Sequence, residues 1–308
     1  MKLSSPHSSH GWMIVHKPIG MNSTDVVRLV KRKFKPLKVG HAGTLDRLAY
    51  GVLPIAIGNA TKVIPYMVEK EKAYEFWVIF GESRATDDPE GEVTATSSVR
   101  PTHEQILEAL NDFKGVIMQR PPLYSAIKVM GKRASDRARA GEPPLLKERP
   151  VEIKSFELLS FDGNRAQFRI KCSKGTYVRS LARDLSEKLG TKGYAEKIYR
   201  VSVGTFSDSD SISTEVLAKL DKIALLEKYI YAVDMVLDDI PAIRIAGIEK
   251  QKLCQGQAIL HDSFPIRGNT IGEGAVVLCL DENDQAVALA EMTMGLIQPK
   301  RIFQTERI

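Results

Sequence analysis

The sequence predicts an α+β fold with a largely antiparallel sheet, and three observations carry that prediction. Alternating apolar runs and helix-length amphipathic runs follow one another irregularly, without the strand–helix repeat that builds a parallel sheet. Two runs, Val151 to Phe161 and Ala166 to Cys172, are joined by Asp162-Gly163-Asn164, the chemistry of a tight hairpin. From about residue 235 the texture changes to short strands, which predicts a small β-rich domain, 235–308, after a larger one, 1–234.

The elements follow in order. Trp12 to His16 reads as a strand closed by the turn Lys17-Pro18-Ile19-Gly20. Ser23 or Thr24 is placed to cap a helix that buries Val26, Val27, Val30 and Phe34 and exposes Arg28, Lys31, Arg32 and Lys33. The next segment, Gly40 to Gly51, has neither a helix nor a strand period. Ala73 to Phe80 is a strand with Tyr74, Phe76, Val78 and Phe80 on one face. Asp87 to Gly91 is an acidic turn. Thr102 and Gln105 form a capping box for a helix turning Ile106, Leu107, Leu110 and Phe113 inward. After the hairpin, Ser173 to Thr176 opens a helix that buries Val178, Leu181, Leu185 and Leu189 and stops at Gly190. A helical region runs from about Ser213 to Tyr231. Ala242 to Ile245, Ala275 to Leu280 and Gln285 to Thr293 are the strands of the second domain.

Composition narrows the function. Of 308 residues, 43% are hydrophobic and 27% charged, the balance of a globular chain that needs no staples. Cys172, Cys254 and Cys279 are scattered and odd in number, so buried thiols in a reducing compartment are expected. The polar start, Met1 to His10, lacks a secretory core, and no apolar run is long enough to span a membrane; the expectation is a cytoplasmic monomer. A net charge of +6 permits attraction to phosphate, and it clusters: Lys31 to Lys38, then Lys128, Lys132, Arg133, Arg137 and Arg139.

The signatures of nucleotide-driven, metal-dependent and serine-hydrolase chemistry are missing. What remains is the glycine-bracketed loop around Asp46. Glycines let backbone approach a ligand closely, and Leu45, Leu48, Val52 and Leu53 would pack the loop onto a core. A carboxylate buried among apolar neighbours needs a compensating cation, and Arg179, at the start of a helix, is a candidate. An Asp in a glycine loop is more often a turn residue. His41, Tyr74 and Tyr177 have equally bland readings as loop and core residues, so the residues alone leave the matter open.

Their combination is more specific. Gly40-His41-Ala42-Gly43-Thr44-Leu45-Asp46, with Leu48-Ala49 and Gly51-Val52-Leu53-Pro54, resembles the signature of the TruB family of tRNA pseudouridine synthases. Lys17-Pro18-Ile19-Gly20, Lys72-Ala73-Tyr74, Pro122 to Lys128 and Ser173 to Ser180 match in the same order, over about residues 11 to 205. The resemblance implies a pseudouridine-synthase fold with a central cleft, action on uridine 55 in the T arm of tRNA, and no metal or organic cofactor. It makes Asp46 the catalytic carboxylate, Arg179 its ion-pair partner and Tyr74 the ring against the base. Tyr177 and Ile198 would line the pocket, His41 would stack in the RNA loop, and Lys17 and Lys128 would contact substrate. The C-terminal strands, ending at Pro299 to Phe303, resemble a PUA-type RNA-binding domain. Three positions depart from the pattern: Arg47 replaces a usual proline, Tyr50 a small residue and Tyr199 a frequent arginine. The rival readings are a tRNA-binding or folding protein with lost catalysis, a guide-RNA-dependent relative, and a retaining glycosidase, which normally needs a second carboxylate.

Overall fold

The computed structural model describes residues 10–220, 223–260, 266–267 and 272–303. The polar start before His10, and residues 221–222 of the helical reading, lie outside the described residues. Strand β1 (Gly11–Lys17) runs antiparallel to the long strand Ala49–Ile57, an apolar run buried on both faces. From one edge the main sheet runs Ile212–Ser213, β1, Ala49–Ile57, Gly193–Val203, Lys72–Phe80, Arg165–Cys172, Arg149–Phe161 and Gly115–Gln119. Its pairs are antiparallel except two: Gly193–Val203 beside Ala49–Ile57, and Ile212–Ser213 beside β1. The sheet is thus α+β and largely antiparallel, as the hairpin chemistry predicts.

One face of the sheet carries Phe76, Val78, Phe168 and Ile198, packed under Val26 and Val30 of the first helix (Ser23–Lys33) and Leu181 and Leu185 of the helix Val178–Lys188. The first helix starts at Asn22, not at Ser23 or Thr24: the Asn22 N–H donates to the Asp25 carboxylate (3.1 Å). Ser23 is engaged elsewhere, as the site shows. Thr102 and Gln105 do cap their helix, His103–Ala109, but Leu107 is exposed. The apolar stripe is Ile106, Ala109, Leu110 and Phe113, and Leu107 stands one position round from it.

The helical reading of Ser213 to Tyr231 gives way to two short helices, Thr214–Lys219 and Ile223–Glu227, and a strand, Ile230–Tyr231. Leu220 leaves the helix with extended backbone, and Tyr231 pairs opposite Trp12 on β1. A second sheet of six strands follows between Ala242 and Ile302, with a helix, Gly247–Cys254, absent from the sequence reading. Cys172 and Cys279 are buried, whereas Cys254 is half-buried.

The two sheets share an apolar cluster. Trp12, Ile14, Val52 and Ala56 on the back of the main sheet meet Val236, Leu237, Leu278, Leu289 and Phe303.

Candidate active site

The loop bearing Asp46 lies between the short strand Val39–His41 and the strand Ala49–Ile57. It is tied down along its length. Ala42 N–H donates to Pro54 O (3.0 Å), and Ala49 N–H to Asp46 O (3.1 Å). The buried Ser23 hydroxyl accepts from Leu45 N–H (2.9 Å) and donates to Leu45 O (3.0 Å). Leu45 is thereby anchored in the core and Asp46 is turned outward. Gly51 has φ +103°, and a Cβ there would stand 2.4 Å from Arg200 O, so only glycine fits.

Arg179 arrives from the first turn of the helix Val178–Lys188. That helix start is clamped by Gln119, whose side chain accepts from Tyr177 N–H (2.8 Å) and donates to Tyr177 O (3.2 Å). The Arg179 Nη2 meets Asp46 Oδ2 at 2.8 Å and its Nη1 meets Asp88 Oδ2 at 3.2 Å. Thr86 O and Tyr124 O take further guanidinium protons (2.9 and 3.1 Å). Both Arg179 and Asp88 side chains are 4% exposed, but Asp46 is 40% exposed. The sequence reading of a carboxylate shielded from solvent is therefore corrected: the hidden carboxylate is Asp88, and Asp46 stands open. Two carboxylates thus share one guanidinium, and of the two only Asp46 is accessible. The acidic turn is committed to arginines: Asp87 pairs with Arg183 (2.8 Å), and burial still pushes its carboxyl up to about 6.

Asp46, Arg179, Tyr74, Tyr177 and Ile198 all line one cavity of about 270 Å³. Tyr74 stands opposite Arg200 in the strand register. Burial raises the Tyr74 phenol, with the Arg200 charge opposing; burial likewise raises Tyr177, with Arg149 opposing. Both rings are thus neutral near pH 7, suited to stacking and to donating a hydrogen bond. His41 lies on the other side of Asp46, in a second cavity of about 610 Å³. Burial, then Arg200, lowers its pKa and keeps the imidazole neutral.

Two expected substrate contacts line neither cavity. Lys17 is fully buried and its ammonium donates to Pro18 O (3.0 Å) and Met21 O (2.8 Å), so it braces the turn after β1. Lys128 is exposed on a two-residue strand paired with Arg133. The sequence reading passed over Asp88, which it took as a turn residue, and Arg200. Arg200 is 1% exposed, lines the first cavity, and donates to Val52 O (2.7 Å) and Gly43 O (3.2 Å). A fully buried arginine two positions from the pocket-lining Ile198 was foreshadowed only by the arginine missing at Tyr199.

Comparisons with known proteins bear on the fold and the family. Residues 31–178 match the model of the TruB family pseudouridylate synthase (N terminal domain). The tRNA pseudouridine synthase B of Bradyrhizobium diazoefficiens is 46% identical over 300 residues, which cover 96% of this chain and 86% of that protein. The chain belongs to the TruB family of pseudouridylate synthases. The enzyme of the same name from Caulobacter vibrioides is 42% identical over 299 residues, 96% of each chain. Among solved structures, an H/ACA ribonucleoprotein bound to a substrate RNA containing 2′-deoxyuridine superposes with a TM-score of 0.75 at 21% identity, over 97% of this chain and 86% of that one. The archaeal box H/ACA Nop10–Cbf5 complex gives 0.74 at 21% identity, over 98% and 88%. This TruB-family member is thus a pseudouridine synthase, an isomerase, with the fold that those structures share.

Proposed function

We propose that the chain isomerises the uridine at position 55, in the T arm of tRNA, to pseudouridine, with Asp46 as catalytic carboxylate and with no cofactor. The observation that carries this reading is the Arg179–Asp46 ion pair (2.8 Å) in the wall of a cavity also lined by Tyr74, Tyr177 and Ile198. The relatives named tRNA pseudouridine synthase B support tRNA as the substrate.

The reaction breaks the uracil N1–C1′ bond, turns the base and rejoins it through C5, releasing the C5 proton. Two routes use a carboxylate here: attack on the sugar or base, and removal of a sugar proton to give a glycal. Both use the carboxylate of Asp46, which the Arg179 guanidinium holds at 2.8 Å. The uridine first leaves its stack, at a cost of a few kcal/mol that Tyr74 and His41 offset by packing on the base and in the vacated loop. Because Asp46 is open in the free protein, the RNA itself excludes water from the site. Such a substrate places the enzyme in the cytoplasm with its tRNA, and residues 235–308 would form the PUA-like domain.

The test is an unmodified tRNA transcript tritiated at uridine C5, incubated with protein in a chelator. One T-loop uridine per tRNA is expected to release tritium, and Asp46→Asn to abolish release while RNA binding survives. Intact binding by the wild-type protein without release would leave only the RNA-binding reading. Normal turnover by Asp46→Asn would remove the carboxylate from the mechanism.

A further inference from the structure

The cavity that takes the base has a neighbour. The two share a wall formed by Thr44, Leu45, Asp46, Ser125, Ala126 and Arg179, and the second is the larger, about 610 Å³ against about 270 Å³. Three arginines with little to bind line it: Arg47, Arg133 and Arg139. Arg139 has a carboxylate only at 3.9 Å, from Asp136, and all three side chains are exposed.

Arg47 differs from an ordinary surface arginine because it is held. Its backbone O accepts from Gly20 N–H (2.8 Å), and its side-chain Nε donates to Gly20 O (3.2 Å). Main chain and guanidinium are thus both fixed to the turn that Lys17 braces. The terminal nitrogens have no protein acceptor among the described residues, and Arg47 lines the second cavity. A guanidinium fixed through Nε presents a preformed fork, the geometry that binds two phosphate oxygens at once. Geometry also sets what arrives there. An extruded nucleoside stays tethered by its two phosphodiesters, so with the base in the first cavity the strand must pass the rim beside Asp46. The charge of the lining suits it: three arginines without a close partner face Glu90, while Asp46 and Asp88 are already paired with Arg179.

We propose that Arg47 is a substrate-binding residue, gripping a phosphodiester next to the extruded uridine in the cavity on the far side of Asp46. At this position the TruB pattern usually has a proline, which offers no donor, so the pattern itself does not supply this contact. The proposal rests on the RNA-isomerase reading above and adds a backbone contact to it.

The experiment uses the full chain and a T-arm stem-loop tritiated at the target uridine. Release by the wild-type protein is the control, and its failure would count against the function itself, not against Arg47. Arg47→Gln is expected to raise KM about fivefold with kcat within about twofold, and to flatten the salt dependence of kcat/KM by about one unit of log–log slope. Arg47→Lys should restore most of the slope. One neutral methylphosphonate, placed in turn at the linkage on either side of the uridine, should mimic Arg47→Gln at one of them and have no added effect in that variant. A melting temperature equal to the wild type's checks the fold. A fall in kcat with unchanged KM and salt slope would assign Arg47 to the charge balance of Asp46 and overturn the proposal. Wild-type behaviour of Arg47→Gln, or additive methylphosphonate effects at both linkages, would overturn it as well.

Discussion

Arg179 serves two carboxylates, and the inequality between them organises the site. Asp88 is buried and holds the guanidinium from behind; Asp46 is exposed and receives what the guanidinium has left. Asp46 and Arg179 were legible through the family motifs, because each stands in a run of residues that matches as a block. Asp88 was not, because a carboxylate inside the turn Asp87 to Gly91 looks like turn chemistry until Arg179, 91 residues later, is folded against it. Lys17 shows the converse. Its motif suggested a substrate contact, but burial decides otherwise and pulls its ammonium down to about 8, with Asp46 opposing. Below pH 8 that loss of affinity for the proton is a constant penalty on the fold. Between pH 8 and the ordinary 10.5 the unfolded chain binds more protons than the folded one, so stability rises with pH. Lys17→Met removes this titration. The stability difference between wild type and variant should be flat up to pH 8, then move toward the wild type by up to roughly 3 kcal/mol by pH 10.5. Urea unfolding at pH 7, 8, 9 and 10 measures it, and a pH-independent difference would mean that Lys17 titrates normally.

At the scale of elements, two departures from the family pattern explain each other. Tyr50 and Tyr199 stand opposite in the register between Ala49–Ile57 and Gly193–Val203, and their rings stack with centroids 4.9 Å apart and planes 13° apart. Strand alternation turns both away from the cavity face that holds Ala49, Ile198 and Arg200. Tyr50 therefore adds its bulk on the side of the sheet opposite Asp46, and the site is spared. A double-mutant cycle with Tyr50→Ala and Tyr199→Ala should give a coupling energy of about 1 kcal/mol in denaturant unfolding; additive losses would show that the stack contributes nothing. Elements with a clean period and local punctuation, such as the hairpin Arg149–Cys172 and the capped helix His103–Ala109, could be read directly. Those set by distant pairing could not. The strand Ala49–Ile57 is apolar on both faces and so lacks an alternation to read, and Ile230–Tyr231 is a strand only because β1 lies beside it.

At the scale of the whole molecule, the second sheet is attached by more than a linker. The last strand on the main sheet ends at Tyr231 and the first on the second sheet begins at Ala242. Between them Trp12 Nε1 donates to Val233 O (3.1 Å), and Lys70 reaches Asp238 and Asp239 (2.6 and 2.9 Å). Lys62 and Asn59 donate to the carbonyls of Ile302 and Phe303. Exposed ion pairs are worth about 1 kcal/mol at most, so Lys70 is not what secures the junction. The apolar cluster is: Val236, Leu237, Leu278, Leu289 and Phe303 are each at most 6% exposed and pack with Trp12, Ile14 and Val52. Each such side chain contributes roughly 1.5–3 kcal/mol when buried. Removing residues 235–308 would therefore strip the back of the main sheet and present its apolar face to water. The truncated chain is expected to melt at least about 5 °C below the full one, bind a hydrophobic dye and lose isomerase activity on prolonged incubation. Calorimetry and dye binding on the two chains decide it. An unchanged melting temperature with weakened RNA binding would mean that the second sheet supplies affinity alone, and that the shared cluster adds nothing to the catalytic fold.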